Sequence, residues 1–308
     1  MEKTSKIYIA GDTGLIGSSI KKKLKESGYK NLIFKTHKEL DLTNQKEVED
    51  FLKKEKPEYV FVCAGKIGGI LANIQYPADF IFQNSIIATN LIYFSYKYKV
   101  KKLLYLGCSC IYPKNSPQPI KEEYLLKGEI EPTNEPYAIA KILGIKLCVS
   151  FNRQYKTNFI PAVAGNVYGP LLFHSDISYS HVIPSLFYKF HNAKQKGENK
   201  VVIWGTGKPK RDFLYVDDLA DACIFLMERY DKNEIINIGT GLGTSISEIS
   251  QYIKKITKFK GEIIYDTNKP DGMQERILDI SKISSLGWKP KIDLEKGLEL
   301  IYKHFPKL

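Results

Sequence analysis

Tyr137 and Lys141 are the pair in this sequence best suited to moving a proton. They stand four residues apart in Tyr137-Ala138-Ile139-Ala140-Lys141, at the start of a pattern that predicts a helix over 137–155. That spacing puts both side chains on one helix face, near enough to interact. An ammonium beside a phenol favours the tyrosinate, so Tyr137 is expected below its usual pKa of about 10. The phenol can then protonate a carbonyl oxygen as hydride reaches the carbon, or run the step in reverse. The spacing alone is common by chance, and its meaning depends on what else the chain carries.

A second motif supplies that context. Gly11-Asp12-Thr13-Gly14-Leu15-Ile16-Gly17 follows an apolar run, Ile7–Ala10, and opens a helical pattern over 17–27. Glycines there permit a tight turn, a close approach of backbone to pyrophosphate, and close helix–strand packing, while the helix N-terminus offers free N–H groups. In this strand–turn–helix setting the loop predicts dinucleotide binding. The end of the next strand selects the cofactor: an acid would favour NAD. Here the chain reads Phe34-Lys35-Thr36-His37-Lys38. Lys35 and His37 suit a 2′-phosphate, so NADP(H) is expected. Asp41 and Leu42 are placed to flank the adenine, Cys63-Ala64-Gly65 to run beneath the ribose, and Lys141 to hydrogen-bond the nicotinamide ribose. No metal ligands are assigned.

The elements that must position these groups alternate. Strands are expected at 7–10, 32–34, 59–63, 103–106 and 159–163, with helices at 17–27, 45–55, 79–98 and 137–155 between them. Such alternation predicts an α/β fold, a Rossmann-type doubly wound parallel sheet with ligands at the carboxyl ends of the strands. The alternation weakens after about residue 168, although 201–204 and 235–238 read as further strands. A smaller α/β substrate-binding domain is expected from 169–212 with 241–308, and the NADP(H)-binding domain from 1–168 with 213–240.

Composition sets outer bounds. The chain has 308 residues, 43% apolar and 26% charged, an ordinary globular balance. Its net charge of +12 comes from scattered lysines without a nucleic-acid motif, so nucleic acid is not an expected partner. The positive field instead favours an anionic substrate. No stretch approaches the ~20 apolar residues of a membrane helix, and no signal peptide is read at the start. Five dispersed cysteines, Cys63, Cys108, Cys110, Cys148 and Cys223, fit a reducing, cytoplasmic setting.

With the two motifs joined, the chain resembles the extended short-chain dehydrogenase/reductases, and within them the GDP-L-fucose synthases, epimerase–reductases of GDP-4-keto-6-deoxy-mannose. The resemblance runs from about Lys6 to His304. It rests on Lys66–Ile70, Tyr76–Ile81, Ser109-Cys110-Ile111-Tyr112-Pro113-Lys114, Glu131–Lys141, Ser180-His181-Val182-Ile183-Pro184 and Lys269-Pro270-Asp271-Gly272. It implies that Cys110 and His181 are an epimerisation pair, a thiol tuned towards thiolate and an imidazole, working beside a ketone that acidifies carbons 3 and 5. It implies Ala164, Asn166, Val167 and His181 near the nicotinamide, and Lys189, Trp204, Arg211 and Asp271 towards the GDP-sugar. It also implies a homodimer, through helices around 84–98 and 137–155.

The chain departs from that pattern at three places. Cys108 stands where the family has its catalytic serine, with Ser109 beside it, and a thiol is the weaker hydrogen-bond donor. Leu171–Tyr179, expected close to the sugar, does not keep the pattern. Ala164-Gly165-Asn166 replaces Pro-Thr-Asn. The departures keep a second reading open: a 4-reductase or partial epimerase for a related GDP-6-deoxy-heptose. A third class, a cofactor-sensing protein without chemistry, is disfavoured by the intact Tyr137 and Lys141. A dehydratase would need an Asp-Glu pair where Ser109-Cys110 stand.

Overall fold

The computed structural model describes residues 1–170, 181–269 and 271–305. The first half alternates β1 (Ile7–Ala10), α1 (Leu15–Glu26), β2 (Leu32–Ile33), α2 (Gln45–Glu55), β3 (Tyr59–Val62), α3 (Ile70–Gln75), α4 (Pro77–Lys97), β4 (Lys102–Cys108), α5 (Glu135–Tyr155) and β5 (Phe159–Ala164). Then come β6 (Asn166–Tyr168), α6 (Val182–Gln195), β7 (Lys200–Trp204), β8 (Lys210–Arg211), β9 (Phe213–Tyr215), α7 (Val216–Arg229) and β10 (Ile236–Ile238). The chain finishes with β11 (Thr244–Ser245), α8 (Ile246–Thr257), β12 (Glu262–Asp266), β13 (Glu275–Arg276), α9 (Ser281–Ser285) and α10 (Leu294–Tyr302). Both α4 and α5 begin two residues before their expected starts, because Pro77 and Pro136 sit in their first turns, where a missing N–H costs nothing.

The six-stranded sheet has the order β2-β1-β3-β4-β5-β10, parallel throughout. Period-two alternation sends its side chains to two cores. Tyr8, Val60, Val62, Leu103 and Tyr105 face α2, α4 and α5. Ile7, Ile9, Phe61, Leu104 and Leu106 face α1 and α7. Burial on both faces is why these strands read as near-continuous apolar runs. From β1 the chain moves outward to β2, then returns to β3 on the other side of β1. That reversal opens a crevice at the carboxyl ends of β1 and β3.

A third core joins Tyr168, Phe187, Phe190, Val201, Ile203, Ile249, Ile253, Leu298 and Ile301. Strand β9 connects the cores: Leu214 turns towards the sheet, while Phe213 and Tyr215 turn into the third core. Among the described residues no helix is long and apolar enough to cross a membrane.

One glycine sets the height of α5. A Cβ on Gly144 would lie 2.2 Å from the Tyr105 ring carbon Cζ, so the helix lies directly on that buried ring. Alanine would gain about 1 kcal/mol of helix preference, but the ring has nowhere to go. We expect Gly144→Ala to lower stability by a net ~1–3 kcal/mol, read as a lower urea midpoint. A midpoint at or above the wild type would contradict this packing.

Candidate active site

The glycine loop draws three backbone segments together. Gly11 has φ +86°, and a Cβ there would lie 2.8 Å from the backbone of Ala64. A Cβ on Gly17 would lie 2.1 Å from the Gly11 carbonyl oxygen. Thus β1, β3 and α1 meet almost backbone to backbone. Helix α1 has no side-chain cap and no acid in its first turn, which leaves its N–H groups available to an anion. Thr13 and Gly14 are exposed, and Leu15 and Ile16 pack inward. The buried Asp12 carboxylate pairs with Lys21 at 2.8 Å and leaves Oδ1 without a partner. Gly65 faces the buried Asn84, whose Oδ1 is likewise unpartnered.

At the end of β2, Lys35 is half-exposed 3.7 Å from Glu39, and His37 is largely exposed, 4.0 Å from Asp41. Lys21 lies over the Phe34 ring at 4.2 Å, adding a cation to this rim. The Asp41 carboxylate accepts from the Thr43 N–H and hydroxyl, and these bonds hold its pKa below the usual carboxylate value. The Leu42 carbonyl accepts from Asn90. Asp41 and Leu42 therefore build the turn into α2.

At the carboxyl end of β4 four reactive groups meet. Lys141 is buried; its Nζ donates to the Leu106 carbonyl at 3.1 Å and lies 5.2 Å from the Tyr105 ring centre and 5.8 Å from that of Tyr137. The Cys108 and Cys110 sulfurs are 2.7 Å apart, and Tyr137 lies beside Cys108. One sequence expectation is corrected here. The phenol of Tyr137 is pushed well above its usual pKa by burial and then by the neighbouring sulfurs; desolvation outweighs the ammonium, whose own pKa burial lowers. A hydrogen bond from Cys110, aided by Lys141 and Tyr137, draws Cys108 down to about 7 against the effect of burial. The same bond, with burial, raises Cys110 well above a normal thiol. Ser109 is buried in the turn between them.

Other expected residues spread along the cleft and beyond it. Ala164 is buried at the end of β5, the Asn166 N–H donates to the Asp212 carbonyl, and Val167 packs between two cores. His181 is the exposed N-cap residue of α6; Leu171–Tyr179 lie outside the described residues. Trp204 is 59% exposed on β7, with Lys189 at 5.8 Å and Lys269 at 5.6 Å from its ring centre. Lys189 also donates to the Val202 carbonyl. The Asp271 carboxylate holds the N–H and hydroxyl of Thr206, which fixes the turn that follows Trp204.

Sequence reading missed Arg276. It is 3% exposed, its guanidinium donates to the carbonyls of Ser109 and Tyr112, and its Nε has no partner. Burial, and then the nearby Arg276, lower Arg211 to about 10. Neither arginine has a carboxylate partner among the described residues. The signal was composition: this lysine-rich chain has only four arginines, Arg153, Arg211, Arg229 and Arg276, and an arginine in such a chain is a candidate for a place where a planar fork matters.

The arrangement combines a glycine loop at a helix N-terminus, a cluster of two thiols, a phenol and an ammonium, and an exposed tryptophan flanked by two lysines. The chain is 51% identical to GDP-L-fucose synthase 1 of Arabidopsis thaliana, over 99% of this chain and 94% of that protein. It is 45% identical to the GDP-L-fucose synthase of Escherichia coli strain K12, covering 97% and 96%. Among solved structures, MlghC, a GDP-mannoheptose C4 reductase from Campylobacter jejuni with NADP bound, superposes with a TM-score of 0.90 at 42% identity, covering 99% of each chain. Residues 7–239 match the family model described as NAD dependent epimerase/dehydratase, and the chain belongs to that family.

Proposed function

We propose that this chain is an NADPH-dependent epimerase–reductase that converts a GDP-4-keto-6-deoxy sugar to GDP-L-fucose or a close relative. One observation carries the reading: Tyr137, Lys141, Cys108 and Cys110 gather at the end of β4, in the same sheet as a glycine cradle that admits backbone-close contact. Gly11, Gly14, Gly17 and the start of α1 would hold a pyrophosphate, with Ala64, Gly65 and the unpartnered Asn84 Oδ1 beside the ribose. Lys35, His37 and Lys21 would meet the 2′-phosphate. Bound there, the coenzyme supplies the hydride for the 4-keto carbon.

The chain's own residues do the rest. Lys141, anchored by the Leu106 carbonyl, keeps a positive charge beside the phenol. Tyr137, with its high pKa, holds its proton until the 4-oxygen gains charge and then donates it. Cys110 and His181 serve as base and acid at the carbons that the ketone acidifies. Arg211, Arg276 and Lys189 would bind the diphosphate, and the exposed face of Trp204 suits a flat base. Residues 1–168 with 213–240 would form the coenzyme domain, although Phe213 and Tyr215 pack into the other core. The cysteines, all free, support a cytoplasmic setting.

A second reading is a 4-reductase for a related GDP-heptose. It is favoured by the thiol at position 108 and by the likeness to a GDP-mannoheptose C4 reductase. NMR of the product formed in deuterated water separates the two: deuterium at carbons 3 and 5 supports epimerase–reductase, and its absence from both leaves only reduction.

Three outcomes test the main reading. Tyr137→Phe should lower kcat for NADPH oxidation by roughly 10²- to 10⁴-fold while coenzyme affinity, measured by fluorescence quenching, stays within about twofold; an active variant would end the proposal. Arg211→Ala removes a charged hydrogen bond of about 1.5–3 kcal/mol and should raise KM for the nucleotide sugar roughly 10- to 100-fold; an unchanged KM removes Arg211 from the site. Phe82 and Tyr93 on α4, with Ile139 and Leu143 on α5, expose between 38% and 64% of their surface and support a homodimer. Light scattering should show a dimer that Phe82→Glu weakens, and a wild-type monomer would refute it.

A further inference from the structure

Lys141 carries its ammonium in a site where only 6% of the residue is exposed. Taking such a charge out of water is unfavourable unless neighbouring groups compensate it. Among the described residues no carboxylate pairs with it; the ionisable groups that act on its charge are Cys63, just beyond β3, and Cys108 and Cys110 at the end of β4. It makes one hydrogen bond, to the Leu106 carbonyl at 3.1 Å. Two aromatic rings are also in reach. Nζ stands over the Tyr105 ring, 5.2 Å from its centre, and lies 5.8 Å from the centre of the Tyr137 ring. A ring face carries negative potential and attracts a cation within about 6 Å, most strongly where water is excluded.

Tyr105 has the features of such a face. It is 1% exposed, and its hydroxyl is buried without a partner. An unmade buried hydrogen bond costs stability, so the position uses the ring and not the oxygen. Strand β4 presents the Tyr105 ring and the Leu106 carbonyl from consecutive residues, and both meet the same ammonium. Helix α5 closes over the ring: a Cβ on Gly144 would lie 2.2 Å from Cζ and 2.5 Å from the hydroxyl oxygen. Gly144 stands three residues after Lys141, on the same helix face. The helix that carries the ammonium therefore also clamps the ring that faces it.

We propose that the Tyr105 ring holds the Lys141 ammonium in place beside the Tyr137 phenol, so that Tyr105 is a positioning residue for proton transfer, acting through its π face and not through its hydroxyl. The inference rests on the epimerase–reductase reading above, in which Tyr137 protonates the 4-oxygen. No bond is made or broken at Tyr105. The ring stabilises the charged form of Lys141 and fixes its place one helical turn from Tyr137. Phenylalanine at this position keeps the function, and an aliphatic side chain of similar volume loses it.

Ring fluorination tests this with little change in the shape of the core, because each fluorine weakens the π face while the ring stays. In the full-length protein, residue 105 is replaced by phenylalanine, and then by phenylalanines bearing one, two and three ring fluorines. Tyr105→Phe should keep kcat for reduction of a GDP-4-keto-6-deoxy sugar within about twofold of the wild type, since the lost hydroxyl had no partner. Along the fluorinated series kcat should fall stepwise, to roughly 10-fold below Tyr105→Phe, while KM for the sugar stays within about twofold. The protonation of Lys141 gives a readout that needs no sugar. Burial lowers its pKa from the usual lysine value, which brings the titration within reach. Followed by NMR of lysines labelled at Cε and assigned from Lys141→Arg, the titration should move to lower pH by about one unit at three fluorines, because a weaker face favours the ammonium less. A kcat that is flat across the series, or a titration that does not move, would overturn the proposal and leave Tyr105 a packing residue. A loss already complete in Tyr105→Phe would assign the effect to the hydroxyl and overturn it equally. If the wild type turns over no GDP-4-keto-6-deoxy sugar, the epimerase–reductase reading fails, and the titration series alone decides whether the ring holds the ammonium.

Discussion

The cleft depends on how closely β1 and β3 approach at their carboxyl ends. Gly11 touches the backbone of Ala64, and Gly17 touches the carbonyl of Gly11, with no space for a side chain at either position. Because α1 starts there, its N–H groups face the crevice where the strand order reverses. Moving this contact outward by one Cβ would separate the strands, tilt the helix and withdraw its dipole from any bound phosphate. The other site groups are placed relative to this point, because β4 adjoins β3 in register, Tyr59 with Lys102 through Val62 with Tyr105. The end of β4 thus delivers Cys108 one strand further along.

Burial, more than charge, sets the chemistry at that end. Tyr137 and Lys141 have the spacing of an activated phenol, yet desolvation raises the one and lowers the other. Burial disfavours the charged form of each. Such a site keeps its proton in reserve and releases it where charge develops, the condition under which preorganised groups are most effective. The sulfurs are the exception: contact between them lowers one thiol by raising the other.

Most of the fold was legible in the sequence because both faces of the sheet are covered, so each central strand appears as an uninterrupted apolar run such as Ile7–Ala10. The glycine loop was legible for the same local reason, since its spacing is a property of one turn. What sequence could not convey was contact between distant segments. Arg276 reaches Ser109 and Tyr112 across more than 160 residues, and nothing near it in the chain announces the cysteine turn. The surroundings of Cys108 and Cys110 were hidden differently: the residues are neighbours in sequence, but Lys141, Tyr137 and Arg276 reach them from α5 and β13. The reading of Asp41 as an adenine neighbour met a simpler competitor, because an Asp two residues before a threonine can bond that residue's own N–H and hydroxyl.

The exposure of Trp204 follows from alternation along a single short strand. In β7 only Val201 and Ile203 are buried, so Lys200, Val202 and Trp204 must face outward. Pairing with β12, from Lys200 against Glu262 to Trp204 against Asp266, fixes that register. A one-residue slip would exchange the faces, burying the indole and exposing Val201 and Ile203. Asp271 then secures the turn beyond the strand by binding Thr206, where Gly205 and Gly207 both take positive φ. An exposed tryptophan held this firmly, with Lys189 and Lys269 beside its ring, is a surface whose orientation is built by the same alternation that builds the core behind it.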